Sequence, residues 1–416
     1  MTKTVAVLGA GMVGVSCALE LQRRGWDVAL LDKSAPGHET SYGNAGVLAR
    51  SSLMPMNNPG LWASLPRLVR NTSAQLRYDP AFLLRNGRWM ARFLYSARQT
   101  CFEETTAALD SLIRLSADLH RQWLPEAGAQ AHLRTNGWFF LYRSAQAFER
   151  SQLTRDTLDK FGVATQVLQP VDIQALEPSL KPIFAKALWI KDAASVDNPG
   201  AVVTAYAELF VSRGGRILRG QVTKLARLNE DWQLSIGQEQ ALRAKNVVVA
   251  LGPWSREFLR DSLGLSVPMA YERGYHRHFN AQGSAKLERP VYDTGGGYVL
   301  TPMEMGLRMS TGVELADLNA PKSDAQLELA EKAAREAFPL ADSRDAEPWL
   351  GSRPTLPDSR PVIGASKSDR SLWFAFGHQH IGLSTGPGTA MLLADMMADK
   401  KSSIDAAPFA PSRWGL

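Results

Sequence analysis

The chain has 416 residues, of which 45% are hydrophobic and 21% charged, and its formal net charge is +6. This length exceeds one ordinary hydrophobic core, so two domains are expected, and the composition excludes disordered and fibrous proteins. Cys17 and Cys101 lie too far apart for a dithiol motif, and two cysteines are too few for a zinc cluster or a disulfide framework.

Membrane spans and leader segments are not indicated by the sequence. No run of 18 apolar residues occurs, and no charged leader with an apolar stretch precedes Val5. A cytoplasmic protein is therefore expected, without a nucleic-acid partner.

The first elements predict a dinucleotide site. Residues 5–8 form an apolar run typical of a buried parallel strand, and a G-x-G-x-x-G motif follows at residues 9–14. The helix after the glycines should stop at Gly25, and a second strand over residues 28–31 ends at Asp32. The helix N-terminus would face a pyrophosphate, and the Asp32 carboxylate would accept hydrogen bonds from ribose hydroxyls. The alternative is a structural glycine turn.

Residues 40–46 are almost all small or turn-forming. Such a loop allows backbone amides and hydroxyls to lie against a flat ring, although an ordinary surface loop would have the same composition.

The next segment, residues 51–102, is strongly basic, with Asp79 as its only aspartate. Its seven arginines are Arg67, Arg70, Arg77, Arg85, Arg88, Arg92 and Arg98. On a helix over residues 82–94 the arginines would border an apolar arc, although Asn86 and Gly87 weaken the helical pattern. The segment is interpreted either as a solvated basic face over a packed stripe or as a contact with anionic lipid.

The C-terminal region predicts a second helix start at the cofactor. Residues 371–376 read as a strand, residues 377–388 as a glycine-rich loop, and residues 389–397 as a helix that starts near Gly386. Backbone N–H groups there would stabilise negative charge on the pyrimidine side of a reduced flavin, which favours FAD over a nicotinamide.

These stretches resemble the family of D-amino acid oxidases and dehydrogenases, which includes glycine and sarcosine oxidases, and are most similar to bacterial D-amino acid dehydrogenases. The resemblance rests on residues 5–33, 43–46, 247–254, 351–364 and 377–394. It implies an FAD-dependent enzyme that removes hydride from the α-carbon of a D-amino acid.

The resemblance also implies an α/β fold with two domains. A Rossmann-like FAD-binding domain would be assembled from residues 1–50, 195–255 and 345–416. A substrate domain with helices and a mixed, mostly antiparallel sheet would take residues 51–194 and 256–344.

Residues expected to bind FAD are distributed over the whole chain. They are Gly9, Gly11, Met12, Val13, Gly14, Asp32, Lys33, Ser41, Gly43, Asn44, Ala45, Gly46, Leu48, Val222, Ala250, Gly252, Trp254, Gly364, Gly377, His378, Ile381, Gly382, Leu383 and Ser384.

Arg353 matches the position at which the family holds the substrate carboxylate, which a bidentate guanidinium suits. An interdomain salt bridge is the alternative. Tyr271, Arg273 and Tyr275 alternate on one predicted strand, so one face would carry all three. One of them or Tyr298 would close over the substrate, unless these aromatic residues only pack.

His378 and His380 are predicted to lie near the flavin edge. His380 could accept the proton of the substrate ammonium, or either histidine could bond to the flavin or fix the loop. His276 and His278 lack nearby cysteine or carboxylate ligands at a useful spacing, so no metal site is predicted.

Several functional alternatives stay open at this point. The substrate could be D-proline or hydroxy-D-proline, which would give a ring imine, and a non-catalytic nucleotide-binding subunit is the rival of another class. Electrons could pass to oxygen or to a membrane quinone. The arginine-rich segment favours a dehydrogenase peripheral to the cytoplasmic face of the inner membrane.

Overall fold

The computed structural model describes residues 3–237 and 240–416. Its β-strands are β1 (Thr4–Leu8), β2 (Asp27–Asp32), β3 (Val47–Leu48), β4 (Leu76–Tyr78), β5 (Leu133–Arg134), β6 (Trp138–Tyr142), β7 (Thr165–Leu168), β8 (Lys186–Ile190), β9 (Ala194–Val196), β10 (Arg216–Arg219), β11 (Val222–Leu228), β12 (Asp231–Ile236), β13 (Gln240–Ala244), β14 (Asn246–Val249), β15 (Ala270–Ala281), β16 (Val291–Asp293), β17 (Tyr298–Met303), β18 (Gly306–Thr311), β19 (Val313–Leu315), β20 (Leu340–Ser343), β21 (Trp349–Thr355), β22 (Val362–Ala365) and β23 (Leu372–Phe376). Its α-helices are α1 (Met12–Arg23), α2 (Gly60–Leu68), α3 (Pro80–Arg85), α4 (Gly87–Tyr95), α5 (Gln99–Glu126), α6 (Ala145–Glu149), α7 (Gln152–Lys160), α8 (Pro170–Leu176), α9 (Pro199–Ser212), α10 (Ser255–Leu263), α11 (Ala325–Ala337) and α12 (Gly382–Met397).

A six-stranded sheet in the order β10-β2-β1-β14-β23-β22 forms one half of the fold. Its first five strands are parallel, and β22 runs antiparallel to β23. Val5 and Val7 of β1 belong to the core under α1, α9 and α12, whereas Ala6 and Leu8 face the core under α10 and the β11–β13 meander. Burial on both faces explains why these strands are apolar throughout.

The second half is an eleven-stranded sheet whose main order is β4-β19-β15-β18-β17-β16-β6-β8-β7, with β20 and β21 paired to β15. Most neighbours are antiparallel, and the β6–β16 and β4–β19 pairs are parallel. Helix α11 packs on one face of this sheet. The predicted α/β fold, with a Rossmann-like sheet and a mixed, mostly antiparallel sheet, is confirmed.

Two predicted helices differ from the structure. Helix α12 begins at Gly382, seven residues before the predicted residue 389, because the glycine-rich stretch itself is helical. The helix expected over residues 82–94 is two helices, α3 and α4, which meet at Asn86. Phe82, Trp89 and Phe93 are buried beneath them. None of the described helices is long and apolar enough to cross a bilayer.

Helix α5 connects the two halves by packing against α12. Pro387 lies inside α12 and has no N–H group, so the Leu383 carbonyl lacks its usual helical donor. His120 of α5 supplies the missing bond with Nε2 at 2.8 Å, and its Nδ1 accepts from the Tyr206 hydroxyl at 2.9 Å. Burial lowers the pKa of His120 to about 4, so the ring stays neutral in this position.

We expect His120→Leu to lower the free energy of unfolding by about 2 kcal/mol, because it leaves the Leu383 carbonyl and the Tyr206 hydroxyl buried without partners. Tyr206→Phe should lower the free energy of unfolding about half as much, because it removes only the hydrogen bond between Tyr206 and His120. Urea unfolding followed by circular dichroism measures both, with the surface substitution His38→Leu as control. Equal stability of the His120 and His38 variants would contradict the assigned role.

Candidate active site

A cavity of about 1090 Å³ is lined by residues of both sheets. The predicted site residues that line it are Gly9, Gly11, Met12, Val13, Asp32, Lys33, Ser41, Gly43, Asn44, Ala45, Val222, Ala250, Gly252, Trp254, Tyr275, Tyr298, Arg353, His378, His380, Gly382, Leu383 and Ser384. Predicted residues outside its lining are Gly14, Gly46, Leu48, Tyr271, Arg273, Gly364, Gly377 and Ile381. The structure thus brings together most of the predicted cofactor residues from four separate parts of the chain.

The turn between β1 and α1 brings backbone segments into direct contact. A Cβ atom at Gly14 would overlap the carbonyl oxygen of Gly9, and one at Gly9 would overlap that of Ala250. Gly9 also has φ of +105°, a conformation that L side chains rarely adopt. The Met12 N–H donates to Ser41 Oγ at 3.0 Å, which joins this turn to the next cavity loop.

Asp32 lies at the end of β2, where the parallel strands open onto the cavity. Its carboxylate accepts the Ala10 N–H at 2.6 Å and the Ser34 N–H at 2.8 Å. Burial raises the pKa of Asp32, against the lowering effect of these two bonds. Lys33 places its ammonium 3.9 Å from the centre of the Trp254 ring, so two predicted cofactor residues pack together.

The loop around Gly43 lies across the large sheet. A Cβ at Gly43 would overlap the Trp349 ring, and one at Gly46 would overlap the Val196 carbonyl oxygen. Asn44 donates to the His380 carbonyl at 3.2 Å, which joins this loop to the segment before α12. The loop therefore adopts one defined path rather than that of a free surface loop.

Helix α12 begins at the cavity. Gly382, Leu383 and Ser384 in its first turn all line the wall, and Ser384 Oγ donates to the Val47 carbonyl at 3.0 Å. The first N–H groups of a helix lack intrahelical acceptors and form an electropositive end. Such an end can stabilise negative charge in the cavity, and it lies at Gly382 rather than near Gly386.

Arg353 projects from β21 across the neighbouring strand. Its guanidinium lies over Gly274, where a Cβ would clash with it, and Nη1 donates to the Gly312 carbonyl at 3.2 Å. Glu272 pairs with Arg353 in register, so both lie on the same face. Burial lowers the pKa of Arg353, and the Glu272 carboxylate opposes that shift. The site therefore contains a fixed cation able to bind a carboxylate.

This register shows which face of β15 carries Arg353 and Glu272. Tyr271, Arg273 and Tyr275 share one face, as alternation predicts, but Arg353 and Glu272 lie on the other. The Tyr271 hydroxyl donates to Glu257, which lines the cavity, although Tyr271 itself does not. Alternation alone cannot tell which face of a strand meets a ligand.

Arg273 and Tyr275 are held by the segment beside α11. Arg273 donates to the Pro321 carbonyl at 2.9 Å, and the Tyr275 hydroxyl donates to Glu314 at 2.8 Å. Tyr298 is held likewise by Asp293, and burial raises its pKa well above the ordinary value. Tyr275 and Tyr298 border the cavity, but their hydroxyl groups are already bonded.

The two candidate histidines differ in their surroundings. His378 is buried, and its Nε2 bonds to Thr389 Oγ1 at 2.9 Å, so its ring fixes the loop to α12. Burial lowers the pKa of His378 to about 3. His380 opens on the cavity, where enclosure and the Arg353 cation lower its pKa to about 4.

A row of side chains that was not predicted crosses the cavity face of the large sheet. Cross-strand pairing sets the row as Trp349, His276, Ser310, Val299, Tyr292 and Phe140. All of them except His276 line the cavity, together with Trp138. Trp138 and Phe140 lie 4.7 Å apart between ring centres, and their alternation in β6 was the available signal.

Three predicted residues have structural surroundings away from the cavity. Gly364 packs against Pro411, Gly377 packs against Leu356, and Ile381 belongs to an apolar cluster. Within residues 3–237 and 240–416, no group of three or more histidine, cysteine or acidic side chains could hold a metal ion.

The sequence matches a family model described as FAD dependent oxidoreductase over residues 4–396. The chain belongs to this family. A Bradyrhizobium diazoefficiens protein named D-amino-acid oxidase is 30% identical over 425 residues, covering 99% of this chain and 98% of the relative. A Pseudomonas aeruginosa protein named D-amino acid dehydrogenase 2 is 30% identical over 421 residues, covering 99% of both. The glycine oxidase structure from Geobacillus kaustophilus aligns with a TM-score of 0.74 at 21% identity over 98% of each chain.

The cavity residues fit the FAD of this family. Gly9 and Gly11 line the cavity at the start of α1, where a pyrophosphate would lie, and Asp32 has lone pairs left for a ribose. The open start of α12 can receive the pyrimidine side of a flavin. FAD supplies the family with a two-electron acceptor, while the protein binds, orients and encloses the reactants.

Gly14→Ala should abolish FAD binding, because its Cβ would overlap the Gly9 carbonyl oxygen and force α1 away from β1. We expect at least about tenfold less flavin per chain after purification, since the turn and helix must approach closely. Flavin released on denaturation is measured by absorbance. Gly87→Ala is a matched control because nothing lies within 4 Å of its Cβ, and equal flavin content in both variants would contradict the prediction.

Proposed function

We propose that the protein oxidises D-amino acids in an FAD-dependent reaction, with electrons passed to an acceptor other than oxygen. The Arg353 guanidinium, fixed over Gly274 in the cofactor cavity, is the observation that carries this proposal. The names of two full-length relatives, a D-amino-acid oxidase and a D-amino acid dehydrogenase, support the same substrate class.

Arg353 would bind the substrate carboxylate and so orient the Cα–H bond. Its Nη1 bond to the Gly312 carbonyl holds one side of the guanidinium and leaves other N–H groups for a carboxylate. A fixed carboxylate allows the hydride to leave in one direction only, which is how positioning lowers a barrier. The imino acid produced is hydrolysed in water to a 2-oxo acid and ammonia.

His380 would bind the substrate amine rather than act as a strong base. Its depressed pKa, about 4, keeps the ring neutral at physiological pH and able to accept a hydrogen bond. Such a weak base holds a proton poorly, so release of the ammonium proton to water is the consistent route.

Replacing Arg353 with Met should raise KM for D-amino acids by roughly 10- to 100-fold, because a charge-assisted bond contributes about 1.5–3 kcal/mol. The flavin spectrum should not change. Gly274→Ala should have a similar but smaller effect, since its Cβ displaces the guanidinium without removing the charge.

Steady-state kinetics with a dye acceptor measure both variants. Arg353→Lys keeps the positive charge but loses the planar guanidinium that binds a carboxylate through two bonds. Its KM should therefore fall between those of wild type and the Met variant. Exposed Arg344→Met is the control. An Arg353→Met enzyme with bound FAD and unchanged KM would exclude this residue from substrate binding.

The acceptor proposed is a quinone in the membrane, reached from a peripheral position. The 51–102 segment exposes four large apolar side chains, namely Trp62, Val69, Leu84 and Tyr95. Arg70, Arg85, Arg88, Arg92 and Arg98 are exposed beside them, and the side chain of Arg67 lies outside the described part. Exposed apolar side chains with arginines beside them can bind the surface of an anionic bilayer. Arg85 contributes less because it pairs with Asp317.

Reversing three of these charges with Arg70, Arg88 and Arg98 to Glu should weaken binding to anionic vesicles at least about 100-fold, at about 1 kcal/mol per cation. Cosedimentation with phosphatidylglycerol vesicles at low salt gives the partition constant. Replacing exposed Lys160, Lys224 and Arg243 with Glu is the control of equal charge. Equal loss in both triple variants would show only a general charge effect and contradict a specific contact.

A further inference from the structure

Arg308 of β18 is a fully buried cation beside the loop of residues 40–46, called the flavin loop below. Its Nη1 donates to the carbonyl oxygens of Tyr42 and Asn44, both at 2.7 Å, and so spans Gly43. Its Nε donates to His278 Nε2 at 3.0 Å. The guanidinium therefore contacts the backbone of a loop whose residues Gly43 and Asn44 line the cavity.

No described carboxylate forms an ion pair with Arg308. Asp345 acts on it through His278, whose Nδ1 donates to the carboxylate at 2.9 Å. Other buried arginines differ in this respect, since Arg273 pairs with Glu314 and Arg289 with Glu177. Burial lowers the pKa of Arg308 to about 10, which still leaves it protonated at neutral pH.

Unpaired polar atoms surround this cation on the same face of the sheet. Arg308 pairs in register with His278 and Thr301, and Ser310 pairs with His276. The Arg308 Nη2, Thr301 Oγ1, Ser310 Oγ and His276 Nδ1 atoms are buried and have no partner among the described residues. Burying a charge without a counter-charge is costly. A negative charge in the neighbouring cavity would offset the cost of burying Arg308.

We infer that Arg308 is a positioning residue with an electrostatic role: its counter-charge is the negative charge that the flavin gains on reduction. Through the Tyr42 and Asn44 carbonyls it holds the flavin loop, and its charge favours reduced over oxidised FAD. This role depends on the FAD of the family and not on the substrate proposed above. Arg308 does not line the cavity and so need not touch FAD.

The two-electron midpoint potential of the bound FAD, measured against a reference dye with chemical reduction, tests the inference independently of any substrate. Arg308→Met should lower the ratio of reduced to oxidised FAD about tenfold at a fixed potential, which is a fall of about 30 mV. Arg308→Lys should keep most of the wild-type potential because it retains the charge. Asp345→Asn should shift the potential upward, because it removes the negative charge that partly balances Arg308.

Arg277→Met is the matched control, since Arg277 neighbours Arg308 across the strand pair but faces away and pairs with Glu331. Its potential should equal that of wild type. A cation that instead complements the pyrophosphate would weaken both redox forms of FAD equally. An unchanged potential in Arg308→Met with bound FAD therefore overturns the inference. If that variant does not retain FAD, a potential in Asp345→Asn that is unchanged or lower overturns it.

Discussion

Close contacts at glycine residues shape the cavity from the nucleotide turn to the Arg353 guanidinium. Gly14 lets α1 meet β1 through the Gly9 carbonyl, and Gly274 lets the Arg353 side chain lie flat across β15. A single methyl group at either position would occupy the space of an atom that the site requires. FAD binding and the proposed carboxylate binding would therefore depend on the same physical condition, which is the absence of a side chain at the point of contact.

Two guanidinium groups give the cavity its electrostatic character. Arg353 lies at the cavity wall with Glu272 in register beside it, so its charge is partly balanced before any ligand binds. Arg308 is buried behind the flavin loop with only an indirect carboxylate. Together with the start of α12 they make the site electropositive. Burial lowers the pKa of His378, and enclosure by the cavity together with the Arg353 cation lowers that of His380, so both rings are neutral. Such a site suits a carboxylate substrate and an electron-accepting ring.

The nucleotide half was largely predictable because local rules fix it. The apolar strand, the glycine turn and Asp32 depend on contacts within one β-α-β unit, and the structure has them as predicted. The orientation of β15 was not predictable, because alternation defines two faces and only the pairing with β21 decides which one bears Arg353. The early start of α12 was missed because glycine and proline argue against a helix, whereas in the structure His120 supplies the hydrogen bond that Pro387 removes. Arg308 gave no sequence signal, because its partners are distant backbone carbonyls.

Anaerobic mixing of the purified flavoprotein with the two enantiomers of one amino acid tests the central claim most directly. In the proposed function the carboxylate is held at Arg353, which would present the Cα–H bond of one enantiomer to the flavin. We expect the flavin absorbance to bleach with the D-enantiomer and to remain with the L-enantiomer. Bleaching by the L-enantiomer alone, or by neither enantiomer across neutral, acidic and cyclic amino acids, would contradict the account.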